Sequence, residues 1–555
     1  MSPLARGARR SCRRRHLAVL LGCLYGAPRE AEAQSAAVPP PDAPKDVKHV
    51  TYVPEAVKDE IRNQIKQDVL EQAKREGWAS PETAAPEWTR RFTFHGDIRG
   101  RFERDLFGKG NANQGEFPDF TGINNTTGFD VNGVDLTNDR YLNVDADRTR
   151  PRLRARLGVD VTLWGGFSVG LRLGSGDGST PVSTNQTLGG APGDFSKYQV
   201  WLDRAFIRYA PIDDPETLLS FYLGRFENPF FTYDFLWSDQ VNFDGVATRI
   251  RFPLSGAFNT IFNAGAFPVF TSTFSFPPEL PSKGDQFDAQ GNVVQRFRSL
   301  NKWLYAAQLG GDWRPREAFG LKLAAAFYYF HDIEGRVSPS CDTNVKGFSC
   351  DTDESRPLFA QKGNTYLGLR NPSDAALLAE ATNPGRTPRY QYYGLASHFR
   401  ELVLTARIDL RIAPAVAVGF EGEVVRNFGF KPTEISAVAV NNLGKCPEDP
   451  TQRCPYAGGR DGYRVGVSFG SPTQAHPWDW SVGADYRYLQ TDAVVDAFTD
   501  PDFGLGGTNL RGYVLAGSLY VAEGVWFRVR WLSANAIVGP TYRADVLQVD
   551  LNARF

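Results

Sequence analysis

Between Arg90 and Phe555 the chain carries sixteen segments, most of about 9 to 12 residues, in which apolar and polar positions alternate with a period of two. Successive side chains of an extended strand point to opposite faces, so each segment is a ribbon with one greasy and one polar side. Examples are "RFTFHGDIRGRF", "GLKLAAAFYYF", "LRGYVLAGSLYV" and "ADVLQVDLNARF". The links between them are short and long in turn. Short links sit at Gly165, "PLSG", "IAP" and "AEG"; long polar ones cover 105–147, 176–197, 227–242, 269–302, 332–399, 427–460 and 491–509, and the last (534–541) is modest. A β-sandwich would turn its apolar faces inward against each other. An even number of bilayer-length strands with tight turns at one end and long loops at the other instead describes a barrel in lipid, apolar outside and wet inside. The expected fold is all-β: a transmembrane antiparallel β-barrel of about 16 strands over residues 87–555, preceded by a short N-terminal helix.

Composition agrees. Aromatic residues make up 13% and glycines number 54, while Met1 is the only methionine, a balance that suits strands and turns. Apolar strand ends such as Tyr305, Trp313, Tyr329, Trp480 and Trp531 suit interfacial aromatic girdles. Past the N-terminus no run reaches the ~18 apolar residues of a membrane helix. Arg6, Arg9, Arg10, Arg13, Arg14 and Arg15 followed by "LAVLLGCLYGA" (17–27) and "AEA" (31–33) form a signal peptide, residues 1–33, cleaved before Gln34. A membrane anchor fails on length; a lipoprotein would use Cys23, but the apolar run continues past it. Residues 1–33 hold seven Arg against two Glu, so cleavage takes the formal charge from −1 to −6, and no nucleic-acid partner is expected. A Pro-rich linker (34–52) and an amphipathic periplasmic helix (53–86), with Val57, Ile61, Ile65, Val69 and Ala73 four apart, lead into the barrel.

Export sets the cysteine chemistry. Cys341 with Cys350 and Cys446 with Cys454 are close pairs in long links, without the CxxC spacing or nearby histidine of a zinc site, and read as two local disulfides. "GFSVG" (166–170) fits GxSxG but lies within a strand rather than at a nucleophile elbow. The six histidines form no metal cluster, and Asp residues in "GSGDGS" (174–179) read as solvated loop. Neither an enzyme, a cofactor nor a metal is expected.

The segment "RTRPRLRARLGVDV" places Arg148, Arg150, Arg152, Arg154 and Arg156 on one face and Leu153, Ala155, Leu157, Val159 and Val161 on the other. Five like charges in a row repel unless water, counter-ions or acidic neighbours answer them. Parity puts Arg172, Arg204, Arg208, Arg249 and Arg251 on the same lumen face. These ten read as a pore-lining ladder attracting anions; the plainer reading is a hydrated wall paired with carboxylates. The third long link, "ENPFFTYDFLWSDQVN", is too apolar for open water. Phe230, Phe231, Tyr233, Phe235 and Trp237 are expected to pack against the barrel wall, with Asp234 and Asp239 toward the channel; a subunit interface is the alternative. Leu547, Val549, Leu551 and Ala553 alternate to a terminal Phe555, the form of a barrel-assembly signal.

"FHGDIRGRFERDLF" (94–107), "RTRPRLRARLGVD" (148–160), "STPVSTNQTLGG" (179–190), "LDRAFIRYAP" (202–211), "GRFENPFF" (224–231) and "FDGVAT" (243–248) together resemble the putative porin family of Gram-negative outer membranes. The resemblance spans residue 50 to the end and is sharp between 90 and 250. It implies a membrane barrel and a channel, without a known substrate. The expected function is an outer-membrane porin for passive diffusion of small hydrophilic, preferably anionic, solutes. Implied partners are outer-membrane lipid, the barrel-assembly machinery and, as candidate assembly, a homotrimer. In sixteen-stranded porins the third external loop narrows the pore, which makes Asp234, Phe235, Trp237 and Asp239 constriction candidates. An exporter of acidic polysaccharide, as in alginate-export barrels, and a plugged structural or adhesive barrel are the alternatives.

Overall fold

The structure is a computed structural model that describes residues 87–131, 140–176, 178, 180–272, 300–383, 389–447 and 454–555, and the backbone of 286–287 and 293–295. The signal peptide, linker and N-terminal helix expected over 1–86 lie outside the described residues.

Sixteen strands form the wall: β1 (Phe92–Phe107), β2 (Arg148–Thr162), β3 (Phe167–Ser175), β4 (Val200–Asp213), β5 (Leu218–Glu227), β6 (Asn242–Ser255), β7 (Phe258–Thr271) and β8 (Asn301–Arg316). They continue as β9 (Phe319–His331), β10 (Arg400–Ala413), β11 (Val416–Asn427), β12 (Asp461–Gly470), β13 (Trp480–Leu489), β14 (Leu510–Ala522), β15 (Val525–Ala536) and β16 (Arg543–Arg554). Each pairs antiparallel with its sequence neighbours, and the sheet closes where β1 meets β16, from Asp97↔Arg554 to Phe107↔Ala544. Gly96 and Phe555 exchange backbone hydrogen bonds beyond that ladder (2.9 and 3.1 Å), so the chain terminus completes the seam. Closure leaves no strand with a free edge, the condition for crossing hydrocarbon with strands.

The alternation read from the sequence is what separates inside from outside. Leu157, Leu309, Val465, Leu515 and Leu551 are among the exposed apolar side chains of the outer face. On the same strands Arg154, Gln308, Arg464 and Asp550 are buried within the barrel. Rings gather at both rims. Tyr305 stacks near Tyr329, and Tyr463 near Tyr488, at the long-loop end; Phe167, Tyr209 and Phe221 stack at the short-turn end. Leu157→Arg should therefore impair assembly. Leu157 lies mid-strand on the lipid face, where Arg costs about 2–4 kcal/mol; urea refolding into vesicles would measure it.

The interior is not wet throughout. Buried apolar residues from the long links (Phe120 and Ile123, Leu236 and Trp237, Tyr366 and Tyr393, Val494 and Val495) form one core with inward wall residues such as Phe226, Phe267, Tyr328 and Val425. These links carry rings and aliphatic groups that need cover, and the lumen supplies it. Toward the short turns the lumen is hollow, with cavities of about 660, 630 and 460 Å³ along its wall. Cys341 is bonded to Cys350 and Cys446 to Cys454, both pairs within long links.

Candidate channel constriction

Register decides what faces the arginine row. β1 lies against β2 with Asp97 opposite Arg156, Arg99 opposite Arg154, Arg101 opposite Arg152, Glu103 opposite Arg150 and Asp105 opposite Arg148. Arg148 pairs with Asp105 at 2.5 Å and Arg150 with Glu103 at 2.5 Å and Asp105 at 3.0 Å. Arg152 reaches Glu103 at 3.1 Å, and Arg154 and Arg156 share Asp97 at 2.8 and 2.6 Å. Three carboxylates thus answer five guanidiniums on β2, while Arg99 and Arg101 add two more positive charges. Arg99 donates to the Asn185 side chain. The inner face of these two strands keeps an excess of positive charge.

The other ladder arginines are also tied down. Arg172 pairs with Asp203 (2.5 Å), Arg204 with Glu227 (3.0 Å), Arg208 with Asp213 (2.8 Å) and Arg249 with Glu227 (3.7 Å). Arg251 donates to the Asp214 carbonyl at 3.4 Å. Carboxylates, and for Arg251 a carbonyl, hold the guanidiniums in place, and the arginines outnumber the acids that pair with them.

The third long link (228–241) leaves the wall where Gly224 and Gly245 face each other across β5 and β6, both at positive φ. A Cβ at either would run into a carbonyl oxygen of the adjoining strand. The link then crosses the lumen. Phe230, Phe235 and Trp237 are buried, and Phe231 exchanges hydrogen bonds with Gln308 of β8 (2.8 Å each way). Lys322 of β9 stands over the Phe231 ring at 4.0 Å. Thr232 donates to Glu423 of β11 (2.7 Å), and Arg464 of β12 covers the Tyr233 ring at 4.5 Å. Asp234 accepts from Arg487 of β13 at 3.0 and 3.1 Å. Asp239 is exposed, and its charge bears on Arg154 and Arg528.

A second link, 490–509, folds in beside it. The Ser238 amide donates to the Phe498 carbonyl (2.7 Å), and Trp237 stacks on Phe498 at 5.2 Å. Its acids extend the ion pairing. Arg487 reaches Asp485 (2.6 Å) and Asp500 (3.0 Å); Arg530 reaches Asp500 (3.6 Å) and Asp502 (3.1 Å). Arg101 holds Asp502 at 2.9 Å and Asp550 at 2.7 Å. One chain of alternating charges therefore runs from Asp234 to Asp550 and latches both links to β13, β15, β1 and β16. Burial opposes ionisation of Asp234, but Arg487, Arg464 and Arg530 outweigh it and hold the carboxyl well below its usual range.

Asp496, on the same link, forms no salt bridge among the described residues. Burial pushes its carboxyl up to about 7 despite the Tyr366 hydroxyl donating to it at 2.9 Å. A carboxyl raised in the packed state stabilises that state at low pH and loses the contribution as pH rises through about 7. Amide protection across 490–509, corrected for intrinsic exchange, should therefore be greater on the acid side of 7 than on the alkaline side. Asp496→Asn should flatten the dependence, as hydrogen exchange read by mass spectrometry would show.

Sequence reasoning picked out the arginine row and the aromatic link but not their partners. Asp97, Glu103 and Asp105 were visible as alternating acids, yet only register sets them opposite Arg156, Arg150 and Arg148. Asp500 and Asp502 in "TDPDFG" gave no signal beyond polar loop.

A closed sixteen-stranded barrel whose long links fold into a charged lumen defines an outer-membrane channel of the porin kind. The chain belongs to the putative porin family, whose model matches residues 11–555. No curated protein matches the chain. Among solved structures, the outer membrane channel DcaP of Acinetobacter baumannii is similar at 9% identity over 84% of this chain and 97% of its own, with a TM-score of 0.35. Pseudomonas putida OprB is 13% identical over 84% and 95%, with a TM-score of 0.39. Salmonella typhi OmpF is 9% identical over 84% and 97%, with a TM-score of 0.34.

Proposed function

We propose that this outer-membrane channel passes small hydrophilic solutes by passive diffusion and favours anions. The observation that carries the reading is the surplus on β1 and β2: Arg99, Arg101 and the five arginines 148–156 against Asp97, Glu103, Asp105 and Asp160. Rings of arginine along a pore raise local anion concentration and lower that of cations. Asp234 and Asp239 on the third link, with Phe235 and Trp237 anchoring it, would complete the constriction opposite that wall. We further propose a signal peptide over 1–33, a linker over 34–52 and a periplasmic helix over 53–86. The assembly machinery would recognise the strand ending at Phe555, and the barrel would form a homotrimer in the outer membrane of a Gram-negative bacterium. Planar-bilayer recording in a salt gradient tests the core of it: ohmic steps with an anion-weighted reversal potential, weaker at high ionic strength, are expected. A cation-weighted potential would overturn it. The apolar packing of the long links favours a plugged surface barrel as second reading, which a silent bilayer would support.

A further inference from the structure

The barrel wall parts between the long-loop ends of β6 and β7. β6 pairs with β5 along its length up to Glu227↔Asn242, but its ladder with β7 begins only at Val246↔Ala266. β7 meanwhile runs on to Thr271 against β8, across a register shift beside Pro268. The ends of β6 and β7 therefore splay, at the kink that Gly245 makes with φ +137°. Behind the splay lies a cavity of about 280 Å³ lined by Phe243, Phe267 and Phe270 from the wall and Trp237 and Phe498 from the inward links.

One charge faces this apolar space without an ion-pair partner among the described residues. Lys302 of β8 lines the cavity and is 2% exposed. Its ammonium donates to the Ser355 carbonyl at 2.7 Å and the Arg356 carbonyl at 3.4 Å, both neutral acceptors, and stands 5.6 Å from the centre of the Phe270 ring. The acids near it are engaged elsewhere: Glu334 with His398 (3.3 Å) and Glu354 with Arg356 (3.4 Å). The other charges of the lining are likewise answered. Arg225 pairs with Asp244 (2.7 Å), and Asp496 accepts from Tyr366 (2.9 Å). A buried ammonium held only by carbonyls is costly until an anion joins it.

We propose that this cavity binds a small amphipathic carboxylate, its apolar body among the rings and its carboxylate on Lys302. Small-molecule pockets span roughly 300–1,000 Å³, so a cavity just below that range takes one ring or a short alkyl chain rather than a larger ligand. Apolar contact would supply affinity, and the charge-assisted hydrogen bond would select the acid over its neutral counterpart.

Titration calorimetry on the folded full-length barrel, with phenylacetate, 2-phenylethanol and 2-phenylethylamine as probes, tests this. Saturable binding of the acid is expected, at least about tenfold tighter than the alcohol, the scale of one hydrogen bond to a charged group, with the amine weakest. Lys302→Met should remove the preference for the acid, and Lys302→Arg should restore part of it. Val269→Trp, which fills the cavity from another wall, should abolish binding of acid and alcohol alike. Equal affinity for acid and alcohol in the native protein, absence of saturable binding, or acid binding that survives Val269→Trp would overturn the proposal. Because binding rather than current is read, these outcomes are independent of pore selectivity.

Discussion

Replacing Arg487 with Met should release the third link from the wall and raise both the conductance and the current noise of the channel. The guanidinium is 3% exposed and holds three carboxylates, Asp234, Asp485 and Asp500, from two inward links and its own strand. Removing one partner of a buried ion pair costs about 3–5 kcal/mol, because the acids left behind lose their compensation. At about 1.4 kcal/mol per factor of ten, that shifts the packed-to-released ratio roughly a hundredfold or more. Deleting residues 232–238 removes the link's tip altogether and marks the limit the substitution should approach. The wall itself should persist, since its ladders do not depend on Arg487's side chain; heat-dependent gel mobility of the folded barrel would confirm that. If both variants keep native conductance and only an oligomer weakens, the link is an interface and not a constriction.

Neutralising Arg150, Arg152 and Arg154 together should cut the anion preference of the pore sharply. The inner faces of β1 and β2 hold seven arginines and four carboxylates (Asp97, Glu103, Asp105 and Asp160), so the triple change takes a net charge of +3 to 0. Glu103→Gln should act in the opposite sense, because it removes the shared acid of Arg150 and Arg152 and leaves their charge to solute. Reversal potentials in a salt gradient measure both. The contrast between them matters more than either value: a wall that only hydrates would show neither change, whereas a selectivity wall must move in both directions. Glu103 is 1% exposed, and in the triple variant it keeps Arg101 at 3.5 Å and the Gln548 amide at 3.0 Å, so the barrel should still fold.

How far the sequence reached follows from the range of the forces involved. Strand alternation is set by the backbone itself, residue by residue, and lipid demands an apolar outer face over a fixed length. Leu157 beside Arg156, or Leu551 beside Asp550, therefore declared inside and outside without any partner in view. The strand number, the closure onto Phe555 and the split into short and long links followed from the same local rule. Too many rings in 228–241 for open water also marked that link as one needing cover, though not where it would find it.

What the chain alone could not decide was every feature that depends on register or on a link's path. A shift of one residue in the β1–β2 pairing would have turned Asp97, Glu103 and Asp105 away from the arginines. The path of 490–509 brings Asp500 and Asp502 to Arg487, Arg530 and Arg101 across several hundred positions of sequence in places, a contact that no periodicity encodes. The cavity beside Lys302 lies where the β6–β7 ladder stops at Val246 while each strand stays paired on its other side. The alternation of residues along a strand is local and was legible in the sequence; ion pairs and cavities form between segments, and only the folded chain brings those segments together.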